Sequence, residues 1–271
     1  MFAHLSGLPR LNRTHIFACV LLVWAGIYLP GLGKLEFQGE EARRVLPALT
    51  MLETGNWVVP YVGGEPYYKK PPLVNWLVAA SFKVTGSQSE FTARLPSALF
   101  VLAFVAAVVW LPLPWLPLPG RFIAAIVFMT NIAILEKGRL IELDALYACL
   151  TGLAMVWWLD GYSRNGSRWW LWLGPSVWLA LGALLKGPLL LLYFYGLVLV
   201  ILARNRQTRL LLSWPHALSL VVSVGAFAGW AYLASLQSAG GAMVSTWSSE
   251  VVGHSVGGAI QWGEWGGNIF K

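Results

Sequence analysis

Charge and cysteine are both scarce in this sequence. Only 11% of its 271 residues are charged, against about 25% in a typical soluble domain. The two cysteines, Cys19 and Cys149, lie in separate apolar runs, so their spacing predicts neither a disulfide nor a metal pair. A Walker loop, a dinucleotide-binding glycine fingerprint and an HExxH motif are absent as well, which argues against a nucleotide substrate taken from the cytoplasm.

Apolar and aromatic residues dominate instead. Hydrophobic residues make up 57% of the chain, the mean hydropathy is +0.63, and there are 16 tryptophans, a residue that concentrates at membrane interfaces. This composition predicts an all-α polytopic membrane protein. Its first apolar run is too long for a cleaved signal peptide and is expected to be a signal anchor. A helix needs ~20 apolar residues to cross a bilayer. By this length the apolar runs predict spans near 14–33, 95–112, 121–136, 143–160, 169–185, 187–203 and 214–236.

The distribution of arginine predicts the orientation of these spans. With a cytoplasmic N-terminus, the inner segments contain only one acidic residue, Asp160, and every other acidic residue lies outside. This is the positive-inside pattern, and it places the 34–94 loop on the outer face. The net charge of +7 is therefore interpreted as a topology signal, and no nucleic-acid partner is predicted. The inner arginines are Arg10, Arg13, Arg121, Arg164, Arg168, Arg204, Arg206 and Arg209.

The outer loop begins with a pair of carboxylates. Residues 40–53 carry an amphipathic helical pattern that ends at Gly55, although Pro47 is expected to kink this helix or to mark its true start. Glu40 and Glu41 stand at its N-terminus and are candidate acid or base groups. The alternative is that they only stabilise the helix end, because a helix dipole favours anions there.

A pair of lysines lies further along the same loop. An extended aromatic segment, 57–61, and a turn at Gly63 and Gly64 lead to Lys69-Lys70-Pro71-Pro72. Pro71 suits the first position of a second interfacial helix that contains the apolar run 73–82. Lys70 is then held extended beside a helix N-terminus, an arrangement that favours a bound phosphate. The alternative is a lysine that reaches only lipid headgroups.

Five more residues on the outer side are candidate substrate contacts. For the charged cluster around residues 136–144, the alternative to substrate contact is that its residues pair with each other and anchor helix ends. Lys186 precedes Gly187-Pro188 between two apolar runs, and either lipid headgroups or substrate are open as its partner. Glu250 and His254 are four apart, which is only a weak metal signal, and no metal is predicted. The five candidates are Arg94, Lys137, Arg139, Asp144 and Lys186.

Taken in order, these segments resemble a known family, the dolichyl- and undecaprenyl-phosphate-sugar glycosyltransferases. Within this group of protein O-mannosyltransferase-like GT-C enzymes, the sequence is most similar to the bacterial lipid A aminoarabinose transferases. The motifs that carry the resemblance are Glu40-Glu41-x-Arg43, Gly55-x-Trp57-x-Val59-Pro60, Tyr67-Tyr68-x-Lys70-Pro71-Pro72-Leu73, Arg94-Leu95-Pro96, Arg139-x-x-x-x-Asp144 and Lys186-Gly187-Pro188.

The resemblance implies a GT-C membrane domain of about a dozen spans, with two interfacial helices over the active site. The chain would then be an N-terminal portion of it. The implied reaction is an inverting transfer of a sugar from a polyprenyl phosphate to a lipid or protein hydroxyl at the outer face of the bacterial inner membrane, without a cofactor. By position, Glu40 is the expected general base with Glu41 as its supporting carboxylate, and Lys70 contacts the phosphate. Arg43 and Lys69, in the same motifs, are further substrate-binding candidates.

Two positions depart from the family pattern. Glu40 stands where the family usually has aspartate, which moves the carboxylate by one methylene. Lys69 replaces a residue that is commonly acidic in the aminoarabinose transferases, so a metal ligand would be lost there. The rival interpretation is a non-catalytic membrane protein, either a transporter or a lipid-binding relative. A transporter is expected to carry charges near the bilayer midplane, whereas here the charges lie at the ends of the spans.

Overall fold

The computed structural model describes residues 12–238, and most of this part of the chain is helical. Two short 3₁₀ helices, Gly39–Glu41 and Thr208–Leu212, and one two-stranded hairpin, Tyr61–Val62 with Glu65–Pro66, accompany the α-helices. The predicted all-α class is thus confirmed. Arg10 and the pair Glu250 and His254 lie outside the described residues. The α-helices are α1 Arg13–Tyr28, α2 Ala42–Thr54, α3 Leu73–Thr85, α4 Glu90–Trp110, α5 Leu118–Thr130, α6 Ile132–Lys137, α7 Leu143–Ser163, α8 Arg168–Lys186, α9 Leu189–Arg204 and α10 Trp214–Gln237.

Three of the described helices are long and apolar enough to cross a membrane. These are α4 and α7, with 21 residues each, and α10, with 24. Helices α1, α3, α5 and α9 are apolar but shorter. Each predicted span overlaps a helix, but the third, 121–136, is divided between α5 and α6.

The break in the third span has a local cause at Asn131. Its backbone leaves helical geometry (φ −59°, ψ 130°), and its side chain accepts a hydrogen bond from the N–H of Ala133 at 3.1 Å. Asparagine is a favoured N-cap for this reason. The hydroxyl of Tyr28, at the end of α1, donates to the carbonyl of Met129 at 2.9 Å, so a buried carbonyl released by the break is satisfied.

Helix α7 lies between the two main buried clusters. One cluster joins it to α2, α3, α8 and α9, and contains Trp158 and Trp172. The other joins it to α1, α4 and α5, and contains Cys149. Since α7 starts beside the outer loop and ends at the opposite side of the molecule, it fixes the loop relative to the helix bundle.

The connection between α1 and α4 carries the two helices that the sequence predicts, α2 and α3. Pro47 lies inside α2 and neither starts nor ends it; helical turns already begin at Gly39, and the helix stops at Gly55 in the left-handed conformation (φ 71°). Helix α3 begins at Leu73 with Pro72 as its N-cap, so the predicted start at Pro71 is slightly early. Between them, Gly63 and Gly64 (φ 61° and 85°) form the predicted turn.

Helix α4 begins earlier than the predicted span at 95. The hydroxyl of Ser89 accepts a hydrogen bond from the N–H of Thr92 and caps the helix, so Glu90 is its first residue. Arg94 therefore lies in the second turn of a helix and not in the 34–94 loop.

Candidate active site

Glu41 is an anchor beneath the surface of the outer loop. Its side chain is fully buried and accepts two hydrogen bonds from Arg94, both at 2.8 Å. It also accepts from the backbone N–H groups of Gln38 and Ile141, both at 3.0 Å. One carboxylate thus joins the start of α2 to α4 and to the segment before α7. In this conformation it does not face solvent or a substrate.

The guanidinium of Arg94 also forms its hydrogen bonds with groups of the protein itself. Besides Glu41, it donates to the carbonyls of Leu32, Leu35 and Glu36 at 2.8–3.0 Å. These bonds use all five N–H donors of an arginine. Arg94 therefore holds the segment that follows α1. None of its N–H donors remains for the predicted contact with substrate.

These contacts lower the pKa of Glu41. Burial by itself raises the pKa of the carboxyl, but the hydrogen bonds from Arg94, Gln38 and Ile141 and the charge of Arg94 outweigh burial. The carboxylate form is consequently favoured in the folded protein.

Glu40 faces the opposite way. In the tight turn Gly39–Glu41, successive side chains point about 120° apart, and the side chain of Glu40 is 49% exposed while that of Glu41 is 1% exposed. One carboxylate oxygen of Glu40 is 2.5 Å from Arg43, and the other is 3.5 Å from Arg44. Glu40 is thus a positioned carboxylate at the surface of the loop.

Arg44 connects Glu40 to the lysine segment, and sequence reasoning missed it. Its guanidinium is almost completely buried and donates to the hydroxyl of Tyr67 at 3.3 Å, while its Nε has no partner among the described residues. Its carbonyl accepts from the side chain of Asn75, in the first turn of α3, at 2.8 Å. The available signal was its spacing of four from Glu40, because residues four apart share a helix face.

Lys70 follows Tyr67 closely and precedes two buried prolines. The contacts of Tyr67 and Asn75 with Arg44 flank it on both sides in sequence, so the segment that carries Lys70 is held against the helix that follows Glu40. It is partly buried, whereas Lys69 is exposed. The N-terminus of α3, three residues further on, adds the partial positive charge that favours an anion.

Two of the remaining candidates are engaged with the protein. Lys137 forms ion pairs with Glu136 at 2.9 Å and Glu142 at 3.0 Å, and their hydrogen bonds raise the pKa of its ammonium group. Arg139 donates to the carbonyls of Ile27 and Pro30 at the end of α1. Both contacts agree with the alternative that this cluster anchors helix ends.

Asp144 and Lys186 form a separate ion pair. Their charged atoms are 2.6 Å apart, with side chains 57% and 36% exposed. The Nζ atom of the lysine also lies 5.9 Å from the centroid of the Tyr147 ring. The pair joins the first turn of α7 to the last residue of α8 and remains accessible. Asp144 is thus paired neither with Lys137 nor with Arg139 among the described residues.

The structure therefore sorts the ten predicted residues into two groups. Glu41, Arg94, Lys137 and Arg139 hold elements together, while the other six remain at least partly accessible from the loop surface. Within 12–238, no group of three or more histidine, cysteine or acidic side chains is arranged to hold a metal ion. The accessible six are Glu40, Arg43, Lys69, Lys70, Asp144 and Lys186.

Comparison with known proteins gives one family. Residues 69–232 match the family described as dolichyl-phosphate-mannose-protein mannosyltransferase. The chain is 28% identical over 214 residues to the undecaprenyl phosphate-alpha-4-amino-4-deoxy-L-arabinose arabinosyl transferase of Pseudomonas savastanoi pv. phaseolicola. The matched region covers 75% of this chain and 39% of the relative. The chain is 27% identical to the enzyme of the same description from Pectobacterium carotovorum subsp. carotovorum, over 83% of this chain and 40% of the relative.

A solved structure shares the fold. The crystal structure of ArnT from Cupriavidus metallidurans bound to undecaprenyl phosphate superposes with a TM-score of 0.72 at 20% identity, and covers 83% of this chain and 42% of that one. The chain thus spans about two fifths of the length of the curated relatives that it matches.

Proposed function

Because the chain belongs to the dolichyl-phosphate-mannose-protein mannosyltransferase family, we propose that it is part of a membrane glycosyltransferase that uses a polyprenyl-phosphate-linked sugar. The relatives named as undecaprenyl phosphate-aminoarabinose transferases support this donor class. The fold shared with ArnT supports a GT-C architecture. We propose a lipid hydroxyl as the acceptor and the outer face of the inner membrane as the place of reaction.

The proposed reaction is a single inverting displacement. The acceptor oxygen attacks the anomeric carbon, the bond from that carbon to the phosphate oxygen breaks, and the polyprenyl phosphate leaves with the electron pair. Glu40 takes the proton of the acceptor hydroxyl. General-base help of this kind contributes about 10²–10⁴-fold in rate.

The lysine segment has the complementary role in this proposal. Negative charge grows on the phosphate as the sugar departs, and a fixed cation stabilises it. Lys70, beside the N-terminus of α3, is the proposed phosphate contact. Arg43 and Lys69 are exposed residues of the same loop and are proposed to guide the anionic donor. Asp144 and Lys186 are proposed to border the acceptor.

One observation carries the assignment of roles, namely the opposite environments of the two adjacent glutamates. Glu41 is buried and saturated by four hydrogen bonds, so it cannot exchange a proton with a substrate without breaking the loop anchor. Glu40 is half exposed, and the arginine that pairs with it, Arg43, is exposed as well. We therefore assign the base to Glu40 and a positioning role to Glu41.

The test is glycosyl transfer by the full-length protein in membranes, with labelled sugars carried on undecaprenyl phosphate. We expect Glu40→Gln to lower kcat by about 10²-fold or more without a matching loss of folded protein. Lys70→Gln is expected to lower kcat, because charge on the leaving phosphate loses its cation, and also to raise the KM for the donor. Partition of the label into the lipid or the protein fraction identifies the acceptor class.

Glu53→Gln and Lys83→Gln are the matched controls, because both residues are exposed at the far ends of α2 and α3. They should retain full activity. Wild-type turnover in Glu40→Gln would remove Glu40 as the base. A folded wild-type protein that transfers none of several sugars would refute the enzyme assignment itself. It would favour the alternative of a non-catalytic membrane protein.

A further inference from the structure

A polar pocket lies at the far end of the helix bundle from the candidate active site. It has a volume of about 580 Å³ and forms where α7 and α9 end and α8 begins. Helix α7 separates it from the outer loop, and its 21 residues span roughly 30 Å at 1.5 Å per residue. The pocket is therefore a second site, a bilayer thickness away from Glu40. Its charged and amide side chains are Asn165, Arg168, Arg206, Gln207 and Arg209.

Two helix ends of the same geometry build this pocket. At the end of α7, the N–H of Gly166 donates to the carbonyl of Gly161 at 2.8 Å. At the end of α9, the N–H of Gln207 donates to the carbonyl of Leu202 at 2.8 Å. Both are Schellman turns, whose left-handed residue is usually glycine.

Neither turn uses glycine at its left-handed position. Asn165 (φ 51°) and Arg206 (φ 56°) hold these places, and no other non-glycine residue between 12 and 238 has a positive φ. Asparagine tolerates this conformation, whereas an arginine there is strained. Both exceptions line the same pocket, and the strained arginine indicates that its side chain is needed at this place.

Side-chain hydrogen bonds join the two turns. The hydroxyl of Tyr162 donates to the side-chain oxygen of Gln207 at 2.7 Å and accepts from the side chain of Asn205 at 2.7 Å. The pocket is thus preformed, because its two walls are tied to each other before any ligand arrives.

The charge of the pocket is not neutralised within the described part of the chain. Arg168, Arg206 and Arg209 form no ion pair or side-chain hydrogen bond there. Asp160 is the one acid at this end among residues 12–238; it is fully buried and is held by Arg164 at 2.7 Å. Three guanidinium groups around one cavity favour a phosphate, which arginine recognises through two parallel hydrogen bonds.

Aromatic residues place the pocket at headgroup depth. Trp169 and Trp170 follow Arg168 at the start of α8 and are 50% and 45% exposed. Exposed tryptophans of this kind lie at the membrane–water boundary. The apolar part of the lining, Leu171 and Leu210, suits the glycerol and upper acyl carbons of a lipid better than it suits a free ion.

We propose that this pocket binds the phosphodiester headgroup of an anionic phospholipid of the leaflet opposite the active site. Basic pockets between membrane helices bind such headgroups. The positive-inside rule accounts for arginines on this side, but it requires neither a cavity nor a strained arginine in its wall. The proposal concerns lipid binding and does not depend on the transferase chemistry.

The test is native mass spectrometry of the full-length protein in detergent, after exchange into micelles with phosphatidylglycerol or with phosphatidylethanolamine. The wild type is expected to retain phosphatidylglycerol selectively. Arg206→Gly should retain it about tenfold more weakly, the effect of losing one charge-assisted hydrogen bond. Because glycine suits the left-handed position, its thermal midpoint should be unchanged or higher, which excludes misfolding as the cause.

Arg204→Gln removes the same charge from the last turn of α9, outside the pocket lining, and should bind as the wild type does. Equal losses in Arg206→Gly and Arg204→Gln would show a general surface-charge effect and overturn the proposal. Displacement of the lipid by millimolar inorganic phosphate, with phosphate retained in its place, would also overturn it, because the pocket would then be a site for the free anion.

Discussion

Glu41 illustrates how one buried side chain organises the candidate active site. Its removal leaves the guanidinium of Arg94 buried without its counter-charge, and breaking one partner of a buried ion pair costs about 3–5 kcal/mol. We expect Glu41→Gln to lower the thermal midpoint of the full-length protein and to make the 30–45 segment susceptible to protease. Transfer should fall through loss of folded protein, and the fraction that remains folded should keep a pH profile like that of the wild type.

Glu65→Gln is the control for this effect, since Glu65 is an exposed acid in the hairpin of the same loop. A second variant, Glu41→Gln with Arg94→Met, removes the uncompensated charge and should be less destabilised than the sum of the two single variants. If Glu41→Gln were as stable as the wild type and yet inactive, Glu41 would be a catalytic group and not an anchor.

The lowered pKa of Glu41 predicts an acid-dependent loss of stability. A carboxyl whose pKa is lower in the folded state stabilises the protein fully above its ordinary pKa of 4.5. This contribution is lost as the pH falls further, through the pKa in the folded protein. The thermal midpoint of the wild type should therefore decrease as the pH falls below about 4.5. Glu41→Gln should show a smaller change over the same range, and an identical slope in both proteins would contradict the assigned ion pair.

At this scale the sequence singles out candidate residues but does not separate the positions that their side chains take in the structure. The pair Glu40 and Glu41 and the lysine at 70 were found because acids and bases are rare in an apolar chain. Their roles were not separable, since a shift of one residue in a tight turn decides whether a carboxylate faces solvent or Arg94, 53 positions away in sequence. Likewise, only the tertiary structure shows that Lys186 is the partner of Asp144.

At the scale of elements, the contact between α7 and α8 depends on a glycine. A Cβ atom added at Gly174 would lie 2.0 Å from the indole nitrogen of Trp157. That ring is also packed against Trp170 and Trp178, so it has little freedom to move. We expect Gly174→Ala to destabilise the protein by about 1–3 kcal/mol, as overpacking does, and to lower the thermal midpoint.

Gly196→Ala is the matched control in the neighbouring helix, because nothing lies within 4 Å of its added Cβ. Alanine is the better helix former, so this variant should be unchanged or slightly more stable. Equal midpoints for Gly174→Ala and Gly196→Ala would show that α7 and α8 do not approach each other as closely as described.

Helices were more predictable than their ends. An apolar run identifies a helix because a membrane-embedded backbone has to satisfy its own hydrogen bonds. The ends are set by single polar side chains, such as Ser89 before α4 and Asn131 between α5 and α6. Hydropathy averaged over a window does not detect such caps. The third span was therefore predicted as continuous, and the second was predicted to start at 95, although α4 begins at Glu90.

At the scale of the whole molecule, the two ends of the bundle differ in charge. The candidate active site collects acids and bases at one end, whereas at the other the arginines outnumber Asp160, the single acid there among residues 12–238. Helix lengths agree with this division, since α4, α7 and α10 are each long and apolar enough to cross a membrane from one end to the other. The proposed orientation follows from this asymmetry, and it decides on which side of the membrane a donor has to be presented.

Thiol labelling in intact cells tests that orientation. In a background where Cys19 and Cys149 are replaced by alanine, Glu65→Cys places a thiol in the outer hairpin, and Pro114→Cys places one in the exposed turn between α4 and α5. A membrane-impermeant maleimide should label the first in intact spheroplasts and the second only after lysis. The lysed sample controls for reactivity at both positions. The reverse pattern would put Glu40 and Lys70 in the cytoplasm, where an outward-facing sugar donor cannot reach them, and would refute the proposed site of reaction.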